Sequence, residues 1–174
     1  MNDDGLTMLR PLQLVCVRHG ESAWNKDNKF CGWVDVPLSD NGIKEAHEAG
    51  EAIKAQGLVF DTVFTSVLKR AEETANIILQ YCDHQPPKIL QHWRLNERHY
   101  GALTGLNKAQ MAEIHGKDQV QIWRRSFDVA PPVMTPEHPY FNQIGKKGKM
   151  RNLVSNFDWK IDGSFSAKVE SRVS

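Results

Sequence analysis

The sequence has 174 residues, of which 40% are hydrophobic, and a formal net charge of +1, which predicts one domain with a core large enough to fold. Its three cysteines follow no metal-binding or disulfide spacing, which argues against a zinc site or a disulfide framework. No apolar run approaches the ~20 residues of a membrane span, and the N-terminus lacks the basic start and hydrophobic segment of a signal peptide, so we expect a cytoplasmic protein without membrane contact.

The first predicted element is a buried strand over residues 12–17, an apolar run rich in Leu and Val. Cys16 lies inside this run, and we expect it to be a small side chain of the core. Arg18 and His19 follow at the carboxyl end, where open α/β sheets place their ligand sites. An imidazole is a potential nucleophile, the guanidinium beside it matches a phosphate, and Gly20 lets the backbone approach a bound group. The pattern favours a phosphate pocket over an ordinary surface histidine.

The following elements predict a parallel sheet flanked by helices. Ser39 has the position of an N-cap, and Gly57 ends the helical pattern that begins after it. Strand, helix and strand patterns then alternate, which is typical of an α/β sandwich with right-handed crossovers. The predicted strands are 12–18, 61–64 and 88–91, and the predicted helices are about 41–56 and 69–82. In the first helix, the side chains expected to face inward are Ile43, Ala46, Gly50 and Ile53. In the second helix they are Ala71, Ala75, Ile78 and Leu79.

The segment after the third strand has a different character. Its loop, 93–105, and two helical patterns, 107–115 and 117–126, predict an insertion that caps the pocket. Four prolines between residues 129 and 139 exclude a helix there and predict an extended connector.

Two further charged residues follow predicted strands. Arg70 begins the second long helix, where its guanidinium and the free N–H groups of the first turn are suited to an anion; the alternative is an ordinary surface arginine beside Lys69. Glu97 stands between Arg94 and Arg98 in the sequence. It is either the ion-pair partner of those arginines or a proton donor to a departing phosphate oxygen, and the spacing alone leaves the two roles even.

The C-terminal residues 145–174 differ in charge from the rest of the chain. They contain seven Lys or Arg and three Asp or Glu, a net charge of +4, and their apolar residues are scattered. We expect a basic tail with little regular structure after a domain over residues 1–144. A nucleic-acid-binding patch is the less favoured interpretation of Lys146–Arg151, since no series of stacking aromatic residues accompanies it, and we expect no nucleic-acid partner.

Six blocks of the sequence resemble the histidine phosphatase superfamily, and within it the cofactor-dependent phosphoglycerate mutases. The resemblance is nearly continuous from about Leu14 to about Ile144. The blocks are Arg18–Asn25 (RHGESAWN), Phe30–Trp33 (FCGW), Pro37–Gly42 (PLSDNG), Phe64–Ala71 (FTSVLKRA), Trp93–Gly101 (WRLNERHYG) and Gln121–Ser126 (QIWRRS).

This resemblance implies a phosphohistidine enzyme of glycolysis that interconverts 3-phosphoglycerate and 2-phosphoglycerate, with 2,3-bisphosphoglycerate as phosphate donor and no metal. His19 would be the nucleophile and Glu97 the acid and base. The substrate-binding positions would be Arg18, Asn25, Cys31, Gly32, Arg70, Arg98, Tyr100, Lys108, Arg124 and Arg125. Six of these are cations, which suits a bisphosphorylated acid with a charge of roughly −4 to −5 better than a single monoester.

The sequence departs from the family pattern in its second half. Mutases of this family have a Glu-Ser-Leu segment and a second histidine in His-Gly-Asn-Ser, and neither occurs here; all seven histidines precede residue 139. The resemblance therefore implies a C-terminally truncated sandwich of the mutase-like type, with doubtful activity. It leaves three hypotheses open for the function: a mutase, a bisphosphoglycerate mutase or phosphatase of the same superfamily, and an inactive fragment that acts only by binding. The expected assembly is a homodimer or a complex with a full-length subunit.

Overall fold

A computed structural model describes residues 12–82 and 87–144. The helices with both ends inside this part are α1 (Ala23–Lys26), α2 (Asp40–Ala55), α3 (Lys69–Leu79), α4 (Lys108–His115) and α5 (Lys117–Arg125). The strands are β1 (Thr62–Thr65) and β2 (Lys88–Gln91), and short 3-10 turns span Trp93–Leu95 and Gly101–Leu103. Residues 141–144 are helical as well. None of the helices in these two ranges combines the length and the apolar character needed to cross a membrane.

Helix α2 forms where its capping residues predict it. The Ser39 hydroxyl oxygen accepts a hydrogen bond from the Gly42 N–H at 3.1 Å, which satisfies one of the free donors of the first turn. Gly57, with φ +62°, follows the last turn. The buried residues of the helix are Gly42, Ala46, Gly50 and Ile53. The predicted helix is thus confirmed, although Ile43 is only half-buried.

Strands β1 and β2 pair in parallel, from Thr62 opposite Lys88 to Thr65 opposite Gln91. Helix α3 runs between them in the chain and packs against both β1 and α2. Parallel strands with helical connections confirm the α/β class, and β2 has the predicted bounds.

The buried face of α3 differs from the prediction. Its buried residues are Arg70, Thr74 and Ile78, whereas Ala71 and Ala75 are half-buried. The apolar pattern misplaces this face because two polar side chains, each with hydrogen-bond partners, occupy the interior. The helix also ends at Leu79 rather than 82, since the next N–H groups bond to carbonyls three residues back.

The prediction of a strand over residues 12–18 is wrong. Among the described residues this segment takes part in no strand pairing, and Leu12 and Leu14 are each 81% exposed. Cys16 is exposed as well, so it is not a core residue. A short apolar run becomes a strand only when a neighbouring strand satisfies its backbone and other layers cover its faces, and nothing in the described ranges does this for residues 12–18.

The segment after β2 packs against the earlier part of the chain through two apolar clusters. One cluster joins Phe30 to Tyr100, Leu103 and Val120 of the later segment. A second joins Trp33, Val34 and Val36 to Ile144. Residues 129–135 are not helical, as the prolines predict. The predicted basic tail, 145–174, lies outside the described residues.

Candidate active site

The imidazole of His19 is held in a defined tautomer. Its Nδ1 lies 2.7 Å from the Gly20 carbonyl oxygen, and its Nε2 accepts a hydrogen bond from the Arg70 Nε–H at 3.2 Å. The proton therefore lies on Nδ1, and Nε2 presents its lone pair to the site. Burial lowers the pKa of His19 below its usual 6.5; the Gly20 carbonyl and Glu97 oppose this shift, and the positive charges of Arg70 and Arg18 reinforce it. A neutral imidazole with an unprotonated Nε2 is the form that attacks phosphorus, once the substrate displaces the Arg70 N–H from that lone pair.

Arg70 occupies the centre of the site. Its side chain is fully buried, and besides His19 it donates to the Val34 and Gly32 carbonyl oxygens at 3.0 and 2.7 Å. The same guanidinium donates to Glu97 Oε2 at 2.9 Å, which makes a salt bridge. A buried guanidinium is stable only when it is paired and its donors are satisfied, and these four bonds meet that requirement.

Glu97 is the acidic member of the site. It pairs with Arg70 rather than with either sequence neighbour, because Arg98 donates to the Trp123 and Ser126 carbonyl oxygens and Arg94 lies over the Trp93 ring. Tyr100 is buried beside Glu97. Burial, and then the negative charge of Glu97, raise the pKa of Tyr100 to about 12. The phenol therefore keeps its proton and is a potential hydrogen-bond donor to the carboxylate.

The turn after His19 is held against two helices by residues that the sequence analysis missed. The Gly20 N–H donates to Thr74 Oγ1 at 3.2 Å, and the Thr74 hydroxyl donates to the Arg70 carbonyl at 2.7 Å. On the other side a Cβ on Gly42 would overlap the Glu21 carbonyl, so only glycine lets α2 approach this closely. Thr74 stands four residues after Arg70, one helical turn, and that spacing was the available signal.

A cavity of about 500 Å³ opens beside His19. Among the predicted binding residues, Arg18, Asn25 and Lys108 line it. Arg18 is exposed. Asn25 Oδ1 accepts a hydrogen bond from the buried Ser22 hydroxyl at 2.8 Å, within a capping box that begins α1. Burial lowers the pKa of Lys108, and its Nζ lies 6.0 Å from the centre of the Phe30 ring.

The remaining predicted residues lie at different depths. Gly32, with φ +52°, and Cys31 are buried next to the site, and burial raises the pKa of the Cys31 thiol. The charge of Arg124 acts on both Tyr100 and Lys108. Arg125 is exposed at the end of α5. The two arginines of the pair therefore face different surroundings.

Arg70 joins the Glu97 carboxylate to the His19 imidazole through hydrogen bonds, an arrangement suited to acid–base and nucleophilic chemistry. Within residues 12–82 and 87–144, no three or more His, Cys, Asp or Glu side chains cluster in a way that would hold a metal ion.

A known protein family matches most of the chain. The family described as the histidine phosphatase superfamily (branch 1) matches residues 14–143, a range that includes His19, Arg70 and Glu97.

Solved structures with the same fold include enzymes of two kinds. A mycobacterial glucosyl-3-phosphoglycerate phosphatase in complex with VO3 is 26% identical, with a TM-score of 0.55 over 65% of this chain and 53% of the other. A phosphoglycerate mutase from Bacillus anthracis is 28% identical, with a TM-score of 0.54 over 60% of this chain and 47% of the other. A protein described as mycobacterial hydrolase 1 is 27% identical, with a TM-score of 0.55 over 65% and 51%. This chain spans about half the length of these three proteins.

Proposed function

Since the chain belongs to the histidine phosphatase superfamily (branch 1), we propose that it transfers phosphoryl groups through a phosphohistidine at His19 and that its substrates are phosphoglycerates. The observation that carries this proposal is the state of His19. Its Nδ1–H is engaged by the Gly20 carbonyl, and its Nε2 faces the Arg70–Glu97 pair. A nucleophile, an anion-binding guanidinium and a proton donor thus share one hydrogen-bonded chain.

The chemical step follows from this order of groups. His19 Nε2 attacks the phosphorus of a donor such as 2,3-bisphosphoglycerate, the N–P bond forms and the P–O bond on the far side breaks. Arg70 stabilises the charge that develops on the equatorial oxygens. Glu97, a carboxylate paired with Arg70 in the free site, takes up a proton when the substrate binds and gives it to the leaving oxygen. In the return step the acceptor hydroxyl attacks phosphorus and its proton passes to Glu97. The new O–P bond forms as the N–P bond breaks, which restores His19 and completes a ping-pong cycle.

The second anionic end of a phosphoglycerate would meet Lys108 and Arg124. Lys108 lines the cavity beside His19, and its charge acts on the buried Cys31. The charge of Arg124 acts on the buried Tyr100. Two cations beyond Arg18 and Arg70 support a substrate with two anionic groups, which is the reason to prefer phosphoglycerates to simple monoesters. This preference agrees with the phosphoglycerate mutase among the solved relatives.

A second candidate is a phosphatase in which water, instead of a sugar acid, accepts the phosphoryl group from His19. The solved relatives give it the same support as the first candidate, because a phosphatase and a mutase are similar to this chain at nearly the same identity. In both candidates the phosphohistidine forms in the same way, and they differ only in the acceptor.

One experiment separates the two. The 174-residue chain is incubated with 3-phosphoglycerate and 2,3-bisphosphoglycerate, and 2-phosphoglycerate and free phosphate are measured together. A mutase forms 2-phosphoglycerate faster than free phosphate, a phosphatase does the reverse, and the His19→Ala variant forms neither. The absence of both products, or full activity in the His19→Ala variant, would contradict the proposed function.

A further inference from the structure

Residues 32–34 form a strap across the buried guanidinium of Arg70. The carbonyl oxygens of Gly32 and Val34 accept hydrogen bonds from the two terminal nitrogens of Arg70, at 2.7 and 3.0 Å. All three residues of the strap are buried. Arg70 is thus anchored by one short backbone segment, which is far from it in the chain.

The N–H groups of Arg70 divide into two sets. Two N–H groups donate to the Gly32 and Val34 carbonyl oxygens of the strap, which are not reacting groups. The other two go to His19 Nε2 and Glu97 Oε2, the positions where a phosphoryl group would enter. A bound phosphate competes only for the second set, so the two strap bonds are the ones that keep the guanidinium in place during phosphoryl transfer.

Trp33 links the strap to the other side of the site. Its indole Nε1–H donates to the Glu97 carbonyl oxygen at 2.8 Å. The ring is 7% exposed and packs against His99 and Trp93, with ring centres at 5.6 and 6.0 Å. The same residue therefore stands between the two carbonyls that hold Arg70 and fixes the backbone that carries Glu97.

We propose that Trp33 is a positioning residue, whose indole N–H sets the distance between the Arg70 guanidinium and the Glu97 carboxylate. The inference rests on phosphoryl transfer at His19 and is independent of which substrate the protein uses. Without the N–H donor, the strap loses its hydrogen bond to the backbone of residue 97. Only the Arg70–Glu97 salt bridge then holds the two groups together, and a bound phosphate competes for the donor of that bridge.

The variant that tests this keeps the shape of the ring and removes the donor. Replacement of Trp33 by 3-benzothienylalanine puts sulfur at the position of the N–H, and Trp33→Phe is the genetically encoded counterpart. The matched control is Trp24→Phe. Trp24 packs against the same apolar cluster as the strap, and its ring contacts Tyr140 edge-on, whereas the hydrogen bond to the Glu97 carbonyl comes from Trp33. Thermal unfolding of all variants measures any general loss of stability.

Activity gives the first readout. With p-nitrophenyl phosphate as substrate, we expect kcat to fall by about 10- to 100-fold, since small misplacements of reacting groups have effects of this size. KM should change by less than about threefold, because Arg18 and Lys108 at the cavity are unaffected. The Trp24→Phe control should keep both constants.

Nuclear magnetic resonance of the ¹⁵N-labelled arginine side chains gives a second readout that needs no turnover. In the wild-type chain the Arg70 guanidinium should rotate slowly about its Nε–Cζ bond and show separate Nη signals, which should merge in both Trp33 variants. Burial is the main cause of the lowered pKa of His19, and the charge of Arg70 adds to it. Movement of the guanidinium away from His19 should therefore raise that pKa in the variants.

Unchanged Arg70 signals and an unchanged His19 titration in folded Trp33 variants would overturn the inference, whatever the turnover. Failure of the proposed function gives a different result, namely a wild-type chain without phosphoryl transfer in which the Arg70 signals still respond to Trp33.

Discussion

At the scale of single residues, Arg70 connects the groups of the site. Its buried guanidinium donates four hydrogen bonds, two to backbone carbonyls and one each to His19 and Glu97. A planar fork of donors is what allows one side chain to satisfy partners in several directions at once. Lysine has the same charge but neither the planar shape nor the number of fixed donors.

We therefore expect Arg70→Lys to lower kcat for phosphoryl transfer by about 10²–10³, the usual effect of losing one electrostatic donor to the transferring group. Steady-state assays measure this. Lys69→Ala is the matched control, since that side chain is exposed and lies next to Arg70 in α3. A kcat within threefold of the wild type in Arg70→Lys would show that Arg70 does not act on the transferring group.

The protonation of His19 gives a prediction about pH. Burial lowers its pKa below 6.5, so the nucleophilic neutral form persists as the pH falls through 6.5. A folded-state pKa below that of the unfolded chain also means that the associated stability is present above pH 6.5 and is lost as the pH falls through the folded-state value.

Titration of ¹³C-labelled histidine checks this directly and avoids the ionisation of the substrate phosphate near pH 6. The His19 signal, identified by its loss in His19→Asn, should titrate below pH 6.5. A midpoint above 6.5 would contradict the burial and charge environment seen in the structure.

At the scale of elements, α3 brings the site together. Its first turn supplies Arg70, and one turn later Thr74 ties the Gly20 backbone to the same helix. The segment 19–20 is not part of a strand, so its position depends on side-chain contacts with α3 and on the close approach of α2 at Gly42.

Thr74→Val keeps the volume of the side chain but removes its hydroxyl, leaving the buried Gly20 N–H without its acceptor. Such a loss costs about 1–3 kcal/mol, and we expect a destabilisation of that size in urea unfolding together with a lower kcat. Thr62→Val, on the exposed side of β1, is the control and should change stability by less than about 0.5 kcal/mol. Equal stabilities of the two variants would mean that the contact of α3 with Gly20 has no energetic role.

At the scale of the whole molecule, the described part of the fold leaves an apolar segment uncovered. Leu12 and Leu14 are each 81% exposed, and Val17 is 49% exposed. Exposed apolar side chains close together are an association liability in any soluble domain. The structure and the sequence pattern disagree here about whether the segment is buried.

The variant Leu14→Lys tests whether this segment is exposed, as in the structure, or buried, as the sequence pattern predicts. An exposed position should accept the charge with a stability change below about 0.5 kcal/mol, and we also expect higher solubility. Leu68→Lys is the reference, since Leu68 is 2% exposed and a buried unpaired ammonium costs several kcal/mol. Unfolding of Leu14→Lys under native conditions would show that residues 12–17 are buried, as the sequence pattern predicts.

Local signals in the sequence determined the elements that depend on neighbouring residues. The Ser39 cap and Gly57 set the extent of α2, and the alternation of strand and helix patterns located β1 and β2 in the sequence. The family, too, followed from sequence, because blocks such as Arg18–Asn25 combine several residue types at fixed spacing. These features rest on interactions within a few positions, or on contiguous motifs.

Only the tertiary structure decided which groups meet. It paired Glu97 with Arg70 instead of its neighbours in the sequence and joined Thr74 to the Gly20 N–H. Within residues 12–82 and 87–144 it gave residues 12–18 no partner strand. The physical reason is the same in each case. A buried ion pair, a hydrogen bond across two elements and a strand ladder all require a partner distant in the chain, and the identity of that partner depends on how the elements pack, which no local pattern contains.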